Sequence, residues 1–193
     1  MDMADATGEG YPLVLQSGAD PSTLGGVAVC GLTTVGSVGV IAASHLIASL
    51  GLKPMGTVIH PEFPAVALIQ ESVPKHPVRV YQGEEMGVFI SEIQFPQASD
   101  FQFGNTVLEW FQKGGFDRLV IIDGLVSEDL GLKEDGDIWG VASLQSGRDA
   151  LDTVGIQRIQ QGIVTGVSGF LLAEGERQGL DICLLYTSDA ADD

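Results

Sequence analysis

A glycine-spaced turn between two apolar stretches constrains this chain more than any other feature. The short stretch Gly26-Val-Ala-Val-Cys30 leads through Gly31-Leu-Thr-Thr-Val-Gly36-Ser-Val-Gly39 into an almost wholly apolar run ending at Leu50. Glycines between a strand and a helix permit positive φ and let another backbone approach closely. The helix N-terminus at such a turn presents free N–H groups and a partial positive charge. The arrangement belongs to α/β folds and offers a binding surface. It does not name a nucleotide, because no Lys follows Gly36 or Gly39 and the G-x-G-x-x-G spacing is absent.

At 193 residues, 45% apolar and 18% charged, the chain suits one globular domain with a real core. No apolar run reaches the roughly 18 residues of a membrane span. The opening Met-Asp-Met-Ala-Asp-Ala lacks the basic start of a secretory signal. Cys30 and Cys183 give neither a disulfide framework nor zinc spacing, so a reducing, cytoplasmic setting is expected. There are 26 acidic against 9 basic residues, a net charge of −17, which repels a phosphate backbone and argues against nucleic acid. The acids are dispersed, as solubility requires, and form no single docking block.

Periodicity and turn signals predict strands at Tyr11–Gln16, Val27–Cys30, Met55–Ile59, Ala65–Ile69, Arg118–Ile122 and Ile138–Ala142. Val78–Tyr81 and Met86–Ile93 read as a hairpin around Gln82-Gly-Glu-Glu85, with Glu92 breaking its alternation. Helices are predicted at Val38–Leu50, Asn105–Lys113, Leu144–Thr153 and Phe170–Gln178. Residues 1–10 read as loose, Ser17–Gly25 as a turn-rich connector and Ser127–Asp137 as an acidic loop. The alternation of strands and helices predicts a three-layer α/β/α sandwich around a mixed, largely parallel sheet.

No nucleophile, base and acid stand together. Ser168 in Gly166-Val-Ser-Gly169 misses the G-x-S-x-G nucleophile elbow by one residue, and is expected to cap the helix at Phe170. His45 is expected to hydrogen-bond within the core, and His60 and His76 precede prolines without metal-ligand spacing. Lys133-Glu-Asp-Gly-Asp137 lacks the alternating ligands and closing Glu of a calcium loop. No catalytic residue, metal site or cofactor is therefore assigned. The two glycine turns are expected to line one crevice at the carboxyl ends of the strands, where Gly31, Thr33, Thr34, Gly36, Ser37, Gly39, Gly166, Ser168 and Gly169 would meet a ligand or partner. Close packing of helix on strand explains these glycines first, and anion binding second, because neither turn contains Lys or Arg.

The ordered set formed by Gly31–Leu50, Phe63-Pro64-Ala-Val-Ala-Leu-Ile69, Pro77-Val-Arg-Val-Tyr81, Ser91-Glu92, the Trp110 helix and Ile163-Val-Thr-Gly-Val-Ser-Gly-Phe-Leu-Leu172 resembles the proteasome assembly chaperone family, in its archaeal branch related to eukaryotic proteasome assembly chaperone two. The likeness runs from about Gly26 to Ile182. It implies a fold like that of nucleoside phosphorylases and a non-enzymatic, homo-oligomeric chaperone that binds α-type subunits of the proteasome core. It also adds Phe63, Pro64 and Glu92 to the candidate contact residues. Family members often carry a proline-stiffened Gly-x-Pro-Gly-x-Gly first turn, which Gly31-Leu-Thr-Thr-Val-Gly36 lacks. The rival reading is a phosphorylase- or hydrolase-like enzyme, or a phosphate-binding protein, using the Gly31–Gly39 and Gly166–Gly169 turns.

Cys183-Leu-Leu-Tyr-Thr-Ser-Asp-Ala-Ala-Asp-Asp193 resembles one translated frame of a transposase sequencing adapter. The domain expected at 11–182 is accordingly read as truncated, preceded by a loose segment and first strand within 1–25, with 183–193 as a foreign tail. The hydrophobic-Tyr-any-residue C-terminus found in some family members is then missing. A chain that lost its last strand would expose an apolar sheet edge and be poorly soluble. A native strand Ile182–Tyr186 with a polar tail is the alternative.

Overall fold

Long buried β-branched runs such as Arg118-Leu-Val-Ile-Ile122 need cover on both faces, and the fold supplies it. The structure, a computed structural model, describes residues 10–15, 25–94, 96–125 and 138–188. The loose start before residue 10, most of the turn-rich connector, the acidic 127–137 loop and the end after residue 188 lie outside the described residues.

In chain order the elements are β1 (Leu13–Leu15), β2 (Val27–Leu32), α1 (Val38–Ser49), β3 (Lys53–Val58), β4 (Leu68–Gln70), β5 (Val73–Lys75), β6 (Val78–Gln82) and β7 (Met86–Ser91). They continue as α2 (Asp100–Lys113), β8 (Arg118–Leu125), β9 (Ile138–Ala142), α3 (Gln145–Thr153), β10 (Gln157–Arg158), α4 (Gly166–Gln178) and β11 (Ile182–Ser188). Among the described residues the main sheet runs β1-β3-β6-β7-β2-β8-β11-β9-β10. Its centre, β7-β2-β8-β11, is parallel, while β1, β3 and β6 on one side and β9 on the other pair antiparallel. The predicted α/β/α class is therefore the observed one.

Register decides which helix each strand residue meets. Val29 lies beside Val88 and Val120 and faces α1, whereas Ala28 and Cys30 beside Leu119 and Ile121 face α2 and α4. The α2/α4 side holds the larger core, with Phe89, Phe103, Trp110, Leu119, Ile121, Leu171 and Leu184 at most 2% exposed. Phe89 meets Phe103 edge-on at 5.6 Å, the geometry aromatic pairs prefer. Phe103, Val107, Trp110 and Phe111 recur at helical spacing, so α2 buries one continuous face. On the other side, α1 covers β2, β7 and β8, and α3 covers β9 and β10.

Several expectations change. α2 begins at Asp100, five residues ahead of the predicted start, with an acid in its first turn where the helix dipole favours one. α4 begins at Gly166, so the second glycine turn is the first turn of the helix and not a connector before it. The predicted strand at Ala65–Ile69 shrinks to β4, which pairs with the unforeseen β5 in a separate two-stranded ribbon. Glu71 and Ser72 join them with φ of 51° and 65°, a conformation that favours glycine and so hid the turn from the sequence. His45 is exposed rather than in the core, and its Nε2 lies 3.3 Å from Ser49 Oγ on the same helix.

β11 includes Cys183–Ser188 of the adapter-like stretch, and lies between β8 and β9 with Leu184 fully buried. A chain stopped after Asp181 loses both ladders of β11 at once. We expect it to aggregate on expression, and a soluble product with a cooperative melt would contradict the placement of β11.

Gly31 and Gly39 set how closely α1 sits on the sheet. A Cβ at Gly39 would come 2.3 Å from the Ile122 carbonyl oxygen, and one at Gly31 would come 2.3 Å from the Gly39 carbonyl oxygen. Backbone cannot give way, so Gly39→Ala should cost about 2–3 kcal/mol. That corresponds to a melting temperature lower by roughly 4–12 °C for a chain of this size. An unchanged melt would show that α1 is free to shift.

Candidate functional site

The two glycine turns converge on adjacent residues of one strand. Thr33 and Thr34 leave the carboxyl end of β2, where the Thr33 hydroxyl donates to the Ser91 carbonyl at 2.8 Å. The Gly124 N–H donates to Thr34 Oγ1 at 3.4 Å. From the opposite face of the sheet, the Ser168 hydroxyl on α4 donates to Asp123 Oδ2 at 2.8 Å. Strands β2, β7 and β8 thus end together between the starts of α1 and α4, where α/β sheets gather their binding groups.

Ser168 is not a helix cap. Thr165 holds that position without a side-chain cap bond, and Ser168 lies inside α4 at 2% exposure, committed to Asp123. Its donation to a carboxylate, not to a histidine, lacks the activation a nucleophilic serine needs. Gly36 and Ser37 carry the turn through φ of 67° and 53°, and the Ser37 side chain does not cap α1. Gly31, Gly39 and Gly169 serve close approach, since a Cβ at Gly169 would lie 2.3 Å from the Val164 carbonyl oxygen. Packing thus accounts for these three glycines.

Electrostatics at the strand ends disfavours an anion. Asp123 is 8% exposed, and Asp100 lies beside Gly166 at the start of α4. Burial holds the Asp100 carboxyl above its ordinary range. Burial also pushes the Cys30 thiol far up, with the Asp123 carboxylate adding to the effect, so Cys30 is no thiolate nucleophile. Among the described residues, no group of three or more His, Cys, Asp or Glu is placed to hold a metal ion.

A second polar cluster adjoins the first through Ser91 and Glu92. Among the described residues two charged side chains are buried, Asp123 and Arg79. Arg79 pairs with Glu92 and donates from Nε to the Tyr81 hydroxyl at 3.0 Å and from Nη1 to the His76 carbonyl at 2.5 Å. Gln70 on β4 donates to the other Glu92 oxygen at 3.4 Å. The cluster ties the β4–β5 ribbon to the end of β7. Glu92 is thus a structural anchor, whereas Phe63 packs edge-on to Tyr11 at 5.1 Å and Pro64 is exposed beside it. Phe63 packs with Tyr11 and His60, with Pro64 next to it in the chain, and not with the Thr33, Thr34 and Ser168 hydroxyls.

Asp123, Arg79 and Tyr81 were not singled out from the sequence. The available signals were an Asp-Gly closing a β-branched strand and a charge inside the buried alternation Val78-Arg-Val-Tyr81. Arg79→Met leaves Glu92 unpaired in a nearly buried site and should destabilise the fold by about 3–5 kcal/mol. Adding Glu92→Leu to that variant should restore much of the loss. Urea unfolding of both variants checks this, and equal stability of single and double variants would sink the ion-pair account.

The comparisons with known proteins agree on one group. The PAC2 family pattern matches residues 28–189. Pyrococcus furiosus PbaA, an archaeal homolog of proteasome-assembly chaperone, superposes with a TM-score of 0.80 at 25% identity, covering 92% of this chain and 76% of that one. Pyrococcus furiosus PbaB, an archaeal proteasome activator, shares the fold at a TM-score of 0.73 and 18% identity, over 94% of this chain and 81% of its own. A PAC2 family protein from Streptomyces avermitilis shares it at 0.60 and 17%, over 83% and 74%. No curated protein matches the chain significantly by sequence. With its family pattern running through the parallel centre of the sheet and both glycine turns, this chain belongs to the PAC2 family.

Proposed function

We propose that this chain is a proteasome assembly chaperone that binds α-type subunits of the core particle and catalyses no reaction. The observation that carries the reading is PAC2 family membership over residues 28–189, joined to the likeness to PbaA at 25% identity. The chemistry of the strand ends agrees. Its hydroxyls are engaged with carbonyl, amide and carboxylate groups of the fold, and its charged groups are acids, which suits a rigid scaffold better than a phosphate site. Exposed Val66, Ile69 and Val73 on and beside the β4–β5 ribbon offer apolar surface for a protein partner.

The working form in this reading is a homo-oligomer in the cytoplasm. Among the described residues, no helix is long and apolar enough to cross a membrane. The test uses the full chain with purified proteasome α-type and β-type subunits in size-exclusion chromatography at about 10 μM, a range that retains micromolar complexes. A complex with α-type subunits alone is expected. Failure to bind α-type subunits, or equal binding of both types, would overturn the assignment.

A further inference from the structure

Helices α2 and α4 start side by side, and their first turns share one surface. The Phe101 ring on α2 meets the Phe170 ring on α4 at 5.0 Å, edge to face. Gly104 lets the Phe170 ring lie directly on α2, since a Cβ there would come 2.2 Å from Phe170 Cδ1. Asp100, in the first turn of α2, lies beside Gly166 at the start of α4. Phe101 is nonetheless 62% exposed, and Ile163, just ahead of α4, is 85% exposed. Packing within the fold holds the Phe101 ring in place and leaves most of it in water.

Charge is scarce here, in a chain with a net charge of −17. From Gln94 to Leu108 the one charged residue is Asp100, and from Ile159 to Ala173 there is none. Charge resumes further along both helices, with Glu109 and Lys113 on α2 and Glu174, Glu176 and Arg177 on α4. Asp100 is partly buried, and among the described residues no ion pair reaches it. Burial holds its carboxyl above the ordinary range. The helix dipole accounts for an acid at this position, but not for the apolar groups exposed around it. A lone carboxylate beside exposed phenylalanine and isoleucine is complementary to a cation set among apolar groups. An uncharged segment gains nothing at Asp100, and the net charge of the chain repels an acidic one.

We infer that the joined starts of α2 and α4 are the docking face for the protein partner, and that the element they take is an apolar segment carrying a Lys or Arg that pairs with Asp100. Phe101 and Ile163 receive the apolar side chains of that segment. Docking removes the Asp100 carboxylate from water, so the pairing selects between partners more than it adds affinity. The β4–β5 ribbon is the rival surface. It exposes Ile69 and Val73, but Glu71 and Lys75 give it charge of both signs and no preference for a cation. The inference rests on the proposed function for the identity of the partner, and not for the chemistry of the face.

Two probes separate the face from the reading it serves. The first is an array of synthetic apolar peptides, each with a central Arg or a central Glu, exposed to the full chain. The chain should retain the Arg peptides, and Asp100→Lys should turn the preference to the Glu peptides. Asp100→Asn, which keeps the shape, should lose the preference without reversing it. The second probe is titration with purified α-type subunits. Phe101→Glu and Asp100→Lys should each weaken that complex by about 30-fold or more. Ile69→Glu and Val154→Glu, at other exposed apolar positions, should leave it unchanged. Thermal melts check that each variant is folded. No retention of Arg over Glu peptides, or a preference that both Asp100 variants leave in place, would overturn the inference. So would an undiminished α-type complex with Phe101→Glu, or one weakened by Ile69→Glu alone. Arg peptides retained through Asp100 with no α-type complex would leave the face standing and remove the chaperone reading.

Discussion

Direct backbone contact between α1 and the sheet positions much of the molecule. Gly31 on β2 and Gly39 on α1 have no side chains between them, so the helix rests on the strand and on the carbonyl of Ile122. That contact brings the Thr33–Ser37 turn down onto the ends of β7 and β8. There Thr33 reaches the Ser91 carbonyl and Thr34 receives the Gly124 amide. A helix held even 1 Å further out would lose both bonds, because hydrogen bonds weaken steeply beyond their normal lengths. The close packing expected of these glycines is thus what assembles the strand ends.

The buried charges reinforce the same region. Asp123 and Arg79 sit on different strands of one sheet, each held by specific partners. Asp123 ties α4 to β8, and Arg79 with Glu92 ties the β4–β5 ribbon to β7. The Arg79–Glu92 pair is unforgiving, since removing one partner leaves an uncompensated charge in a nearly buried site. Together the two buried charges fasten α4 and the β4–β5 ribbon to the strand ends.

The two faces of the sheet divide the work. On the α2/α4 side, large aromatic and aliphatic side chains interlock at near-zero exposure. On the α1/α3 side the two helices are shorter, and α1 leaves Ile41 63% exposed.

Much of this was legible in the residues. Period-2 runs and glycine punctuation located β2, β8, β9, α1 and α3 to within a few residues, because those signals are local and the elements are regular. That both glycine turns lie near the end of β8 was also foreseeable, since α/β chain order places successive strand ends together. The sequence by itself determined the fold class, the acidic surface and the close helix–strand approach at Gly31 and Gly39. The tertiary structure alone decided that Ser168 bonds to Asp123 instead of capping α4, that Glu92 pairs with Arg79, and that Ile41 and His45 of α1 face solvent. The physical reason is the same in each case. Partners 13 to 45 residues apart, and the side of a helix left uncovered, depend on how the strands are ordered across the sheet, which no local pattern encodes.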